Sequence, residues 1–129
     1  MKVAVTGGSG RAGRYIIPEL LAHDHEVVNA DLTPGEHGRA RFMREDVHSA
    51  RFMRADVTDF NDVMSALAGA EGIIHLAATP SPVRDPERRV FEVNMLSNWA
   101  VLEAAEILGI PKLVMASSIN AVGASFSKR

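Results

Sequence analysis

The tightest constraint on this chain is a glycine-rich stretch entered from an apolar run and left through an amphipathic one. Residues 2–6, Lys-Val-Ala-Val-Thr, read as a short buried strand that runs straight into Gly7-Gly8-Ser9-Gly10-Arg11-Ala12-Gly13. From Ala12 to His23, apolar Tyr15, Ile16, Leu20 and Leu21 recur at helical spacing, with Pro18 as a blemish. Gly7, Gly10 and Gly13 satisfy G-x-x-G-x-x-G, and residues 8–13 also satisfy G-x-G-x-x-G. Glycines cluster in many turns, so a match counts only in context. The context is a strand before, a helix after, and an acid about twenty residues further on. All three are present, the acid being Asp31, eighteen residues past Gly13. In such a turn the first glycine permits the sharp bend and the second lets main chain approach a pyrophosphate. The third lets helix and strand pack closely. The free N–H groups and dipole at the helix start then receive phosphate.

The rest of the chain repeats the strand–helix alternation. Residues 26–30 form a second strand closed by Asp31, and residues 50–55 a third. Thr58-Asp59 caps a helix through Leu67, with Gly69 at its C-terminal end. Residues 72–77 form a fourth strand. Asp85-Pro86 reads as an N-cap followed by proline at the first helical position, opening a long helix to about Leu108. Residues 112–117 form a fifth strand. Continuous apolar strands alternating with helices mean a parallel sheet covered on both faces. The expected fold is α/β, a doubly wound, Rossmann-like sheet of about five strands in the order 3-2-1-4-5, forming one dinucleotide-binding domain over residues 1–129.

Composition narrows the function classes. In 129 residues, 14 Lys+Arg against 16 Asp+Glu disfavour a general nucleic-acid binder. Zero cysteines remove disulfide scaffolds, thiolate catalysis and cysteine-ligated zinc, and no metal site is implied. No apolar run reaches the ~18 residues of a membrane span, and the N-terminus lacks a signal-peptide apolar region. The expected location is the cytoplasm.

An Asp31 carboxylate at the end of strand two can accept from ribose hydroxyls and would repel a 2′-phosphate, which favours NAD over NADP. Arg11 in the loop could neutralise an extra phosphate, so NADP stays as the lesser alternative. Residues 40–47 recur ten residues later as 50–57 with a single difference. Two copies do not make a solenoid. The second copy fits the third-strand slot, because Thr58-Asp59 follows it directly.

Taken in order, Thr6 to Gly13, Asp31, Asp56-Val57, His75-Leu76-Ala77-Ala78, Asn94 and Ser117-Ser118 resemble the extended short-chain dehydrogenase/reductase family, the NAD-dependent epimerases and dehydratases. The resemblance spans essentially the whole chain. It implies that Asp56 and Val57 flank the adenine, and that Ala77 and Ala78 line the cofactor's far side. It further implies that Asn94 supports the site and that Ser118 hydrogen-bonds the reacting oxygen. Gly7, Gly10, Arg11, Ala12, Gly13 and Asp31 complete the implied cofactor set. Read by themselves, Ser117 and Ser118 are equally strand-end polar residues, His75 is a packed strand histidine without a chemical role, and Arg88-Arg89 are a solvated helix face. The chain departs from the family where chemistry is done. The family's Tyr-x-x-x-Lys pair lies well past the strand-five serine, whereas the only tyrosine here is Tyr15 and the tail's only lysine is Lys128. The expectation is the cofactor-binding front of an enzyme that moves hydride at a carbinol carbon of a small-molecule substrate, inactive as it stands. It would self-associate through the long helix as a homo-oligomer. The rival expectation is a non-catalytic module that binds NAD in a regulatory role.

Overall fold

The computed structural model describes residues 1–34, 50–80 and 85–118. Five parallel strands form one sheet in the order β3-β2-β1-β4-β5, as the alternation predicts. They are β1 (Lys2–Thr6), β2 (Glu26–Asp31), β3 (Arg51–Arg54), β4 (Gly72–His75) and β5 (Leu113–Met115). The strand β3 falls on the second copy of the repeat; the first copy, 40–47, lies outside the described residues.

Alternation along β1 sets the two layers. Val3 and Val5 pack with Ile17 of α1 (Gly13–Ala22) and with Val27 of β2. Ala4 between them packs on the opposite face, with Val63 and Leu67 of α2 (Phe60–Leu67). Side chains alternate across a strand, so helices cover both faces and every β1 residue from Val3 to Thr6 is buried. The second layer is completed by α3 (Glu87–Phe91), a π-helical turn (Glu92–Leu96) and α4 (Ser97–Ile107), which follow one another directly. Val93, Ala100, Val101, Ala104 and Ala105 are its core residues.

The long helix expected to about Leu108 is interrupted by the π turn, and three of the boundaries that differ from the sequence reading have a local reason. The fourth strand stops at His75 rather than residue 77, because its neighbour β1 leaves the sheet at Gly7; only Leu76 N–H still reaches Thr6 O, at 2.9 Å. The fifth strand is likewise shorter, Leu113–Met115, with Ala116 N–H on His75 O as the last rung. Pro86 is itself the N-cap, with ψ 139°, and its carbonyl accepts the first helical bond from Val90 N–H at 3.1 Å. Asp85 therefore stands one residue outside the helix rather than capping it. Asp59 does cap α2, its carboxylate accepting from Asn61 and Asp62 N–H.

Candidate functional site

The C-terminal ends of β1, β2, β3 and β4 open onto a cavity of about 680 Å³. This is where ligands bind in open α/β sheets, at the point where strand order reverses. Its floor is the glycine turn. Gly7 has φ +69°, and a Cβ there would stand 2.5 Å from Ala77 N and 2.8 Å from Leu76 C, so only glycine fits between β1 and the chain leaving β4. At Gly13 a Cβ would meet Gly8 main chain at 2.1 Å, so helix and turn are in direct contact. Gly10 differs: its added Cβ would meet only Gly7 O, at 3.1 Å, which leaves the cavity side open for a ligand.

Helix α1 begins immediately after this turn. It has neither a side-chain cap nor an acid in its first turn, and Arg11 and Ala12, just before it, line the cavity. An α-helix cannot satisfy its first N–H groups internally, and their dipole favours an anion. No acid stands in its first turn, and the carbonyls of Gly10 and Ala12 take the N–H groups of Arg14, Tyr15 and Ile16.

Asp31 ends β2 at the opposite side of the turn. Its carboxylate accepts from Ser9 N–H at 3.0 Å and Leu32 N–H at 2.7 Å. Ser9 in turn donates its hydroxyl to Thr33 O at 2.6 Å and accepts from Asn29 Nδ2 at 3.1 Å. Asp31 thus staples the glycine turn to the second strand, the turn role that a strand-ending Asp often takes, beside the ribose role assigned to it. An ionised carboxylate offers about four acceptor positions. Two are used here, so the group still has capacity for ribose hydroxyls.

At the end of β3, Asp56 Oδ1 accepts from Thr58 N–H and hydroxyl at 2.9 and 2.7 Å, and Oδ2 from Arg89 at 3.3 Å. Burial works to raise the Asp56 pKa, but the Thr58 bonds and the Arg89 guanidinium outweigh it and hold it below the ordinary value. Arg89 also reaches Thr58 Oγ1 at 3.2 Å and lines the cavity. The solvated-face reading holds for Arg88, which is 90% exposed and pairs with Glu92, but not for Arg89. Consecutive helical residues point about 100° apart, so one can face solvent while the next turns inward.

The structure brings Gly7, Gly10, Arg11, Ala12, Asp31, Asp56, Val57, Ala77 and Ala78 together around this one cavity. Gly13 lies behind it as the packing glycine. Asn94 also stands behind the wall: its Oδ1 accepts from Thr79 N–H at 2.7 Å and its Nδ2 donates to Thr79 O at 3.0 Å. That pair of hydrogen bonds to the main chain of one residue fixes Thr79, which lines the cavity. Ser118 is exposed beyond β5 and is not among the lining residues. No metal-binding cluster of acids and histidines occurs among the described residues. No described helix is long and apolar enough to cross a membrane.

The chain is similar in sequence to several dehydrogenases and to UDP-glucose 4-epimerases. A 3 beta-hydroxysteroid dehydrogenase/Delta 5-->4-isomerase of Monkeypox virus is 32% identical over 123 residues, covering 93% of this chain and 34% of its own. L-arabinose 1-dehydrogenase (NAD(P)(+)) of Haloferax volcanii is 37% identical over 117 residues, covering 91% of this chain and 41% of its own. Among solved structures, the Thermus thermophilus UDP-glucose 4-epimerase complex with NAD superposes with a TM-score of 0.70 at 36% identity. That match covers 92% of this chain and 38% of the epimerase. The chain therefore spans well under half the length of each of these three. The profile of one family matches residues 4–129, from β1 through the whole of the cavity just described. On that match the chain belongs to the 3-beta hydroxysteroid dehydrogenase/isomerase family, among the extended short-chain dehydrogenases/reductases.

Proposed function

We propose that this chain binds NAD in the cavity at the strand ends and forms the cofactor-binding part of an NAD-dependent dehydrogenase or epimerase. The observation that carries the reading is the pairing of an uncapped α1 start with the Asp31 carboxylate across one glycine turn. The helix start suits a pyrophosphate, and the carboxylate suits two vicinal hydroxyls while opposing a 2′-phosphate. The three relatives above, dehydrogenases and an epimerase, support it. Bound NAD supplies hydride chemistry; this chain's residues bind and orient it. Asp56 and Val57 hold the adenine end, Ala77 and Ala78 the far side, and Ser118 hydrogen-bonds the reacting oxygen of a small-molecule alcohol or ketone.

The only tyrosine, Tyr15, is 68% exposed on α1 and lies outside the cavity lining. General acid–base help is worth about 10²–10⁴-fold. The 129-residue chain by itself is therefore expected to bind cofactor without measurable turnover. Fluorescence titration tests the binding: NADH should bind more tightly than NADPH, and Asp31→Ala should erase most of the difference. Equal affinities in the unmutated chain would contradict the assignment.

The fold also supports self-association. Phe91, Met95, Trp99 and Leu102 are each more than half exposed and spaced four, four and three residues apart, one apolar stripe along α3, the π turn and α4. A second copy of this chain is the occupant this reading assigns. Sedimentation should show a dimer that Met95→Glu with Leu102→Glu converts to monomer; an unmutated chain that stays monomeric at high concentration refutes it.

A further inference from the structure

Beneath the cavity runs a buried line of polar side chains that the cofactor reading leaves unused. His75, 2% exposed at the end of β4, has its Nδ1 in hydrogen-bond contact with Thr6 Oγ1 and its Nε2 3.2 Å from Ser97 Oγ. The Ser97 hydroxyl also contacts Val93 O. Thr6 and Ser97 are 1% and 0% exposed.

The proton order along this line follows from its far end. The Val93 carbonyl can only accept, so the single Ser97 proton goes there. Ser97 Oγ must then accept from His75, which puts the imidazole proton on Nε2. Neutral imidazole carries one N–H, so Nδ1 is an acceptor and the Thr6 hydroxyl donates to it. Burial favours the neutral ring, lowering the His75 pKa, with the Asn98 amide acting the other way.

The line joins three walls of the cavity. Thr6 is the residue before Gly7. His75 precedes Leu76 and Ala77, which line the cavity and crowd Gly7. Val93 lines the cavity and adjoins Asn94, the residue that grips Thr79. The π turn belongs to the same device: Ser97 N–H bonds to Glu92 O, five residues back, and the hydroxyl takes Val93 O, four residues back. π turns inside helices are frequently found at functional sites.

We propose that His75, held as the Nε2–H tautomer between Thr6 and Ser97, is a positioning residue that couples the glycine turn to the Asn94–Thr79 clamp and so sets cofactor affinity. This rests on the NAD reading above for its effect on affinity but not for the tautomer. Nitrogen-15 NMR of the full chain at pH 7.5 should show an unprotonated Nδ1 and a protonated Nε2. NADH titration should show Thr6→Val, which keeps shape and loses the donor, weakened about tenfold, and Thr6→Ser, which keeps the donor, within about threefold. In Thr6→Val the Asn94 side-chain amide signals should also shift. Ser97→Ala reads the same link from the other end if Thr6→Val fails to fold, and is expected to weaken binding similarly. An Nδ1–H or averaged tautomer overturns the proposal. So does a Thr6→Val chain, or in its place a Ser97→Ala chain, that binds NADH as the unmutated chain does. If the unmutated chain binds no NADH, the NAD reading fails instead, and the coupling is read from the tautomer and the Asn94 signals alone.

Discussion

Replacing Gly7 with alanine should damage the protein through two separable effects. Its φ of +69° costs an L residue about 1–2 kcal/mol. The new Cβ would also stand 2.5 Å from Ala77 N and 2.6 Å from Ala77 Cα. Those atoms are main chain leaving the sheet's interior strand β4, not the tip of a flexible side chain, so relief requires moving backbone. Overpacking of that kind typically costs about 1–3 kcal/mol. The sum, about 2–5 kcal/mol, is a large share of the ~5–15 kcal/mol that holds most domains folded. Gly109 is the internal control. Its φ is +65°, but nothing lies within 4 Å of an added Cβ, so Gly109→Ala carries the backbone cost alone. Both substitutions reduce unfolded-chain entropy equally, and that contribution cancels between them. Urea denaturation of the two variants should place Gly7→Ala about 1–3 kcal/mol below Gly109→Ala, with Tm lower by roughly 4–12 °C. Equal losses would show that the β4 main chain yields freely and that the close approach imposes nothing.

Asn94→Ala should weaken NADH binding about tenfold while changing stability little, because it frees Thr79 at the cavity wall; unchanged affinity would make the clamp irrelevant. Asp56 has a lowered pKa, so its contribution to stability is present above its ordinary 3.8 and is lost as pH falls through the lower folded value. Arg89→Ala should shrink that acid-side loss in a pH series of urea melts, and an unchanged slope would refute the ion pair's part in it. His75 also has a lowered pKa, so stability should decline as pH falls below its ordinary 6.5, toward the folded value. His75→Gln should flatten that decline even if it is less stable throughout; a slope as steep as in the unmutated chain would assign the effect to another group.

How far the sequence foretells the molecule depends on the range of the interaction involved. The sheet order was legible because strand and helix segments alternate after a glycine turn, the pattern of a doubly wound sheet, and Asp59 marked the start of α2. The glycine turn was legible because Gly7 and Gly13 are required by contacts within seven residues or with the adjacent strand. Strand ends were not, because β4 stops where its neighbour β1 departs, and that is a fact about pairing. Asp31 was assigned to the ribose, yet its bonds to Ser9 and Leu32 show it also builds the turn. Arg89 was misplaced because neighbouring charges look alike in a sequence, whereas helical rotation sends one to Glu92 and the other to Asp56. The His75 line was invisible for a further reason. Thr6 and His75 lie 69 residues apart and Ser97 another 22, and only the closed sheet brings them together.

The central claim is that the cavity over the glycine turn is an NAD site with a fixed polarity. Amide chemical-shift mapping of the full chain during titration with NAD tests it most directly. The largest shifts should fall at Gly10, Arg11 and Ala12 for the pyrophosphate, at Asp31 and Leu32 for the ribose, and at Asp56 and Val57 for the adenine. Adenosine alone should shift the last two groups but not the first. Shifts confined to the exposed stripe of α3 and α4, or none at millimolar NAD, would contradict the account.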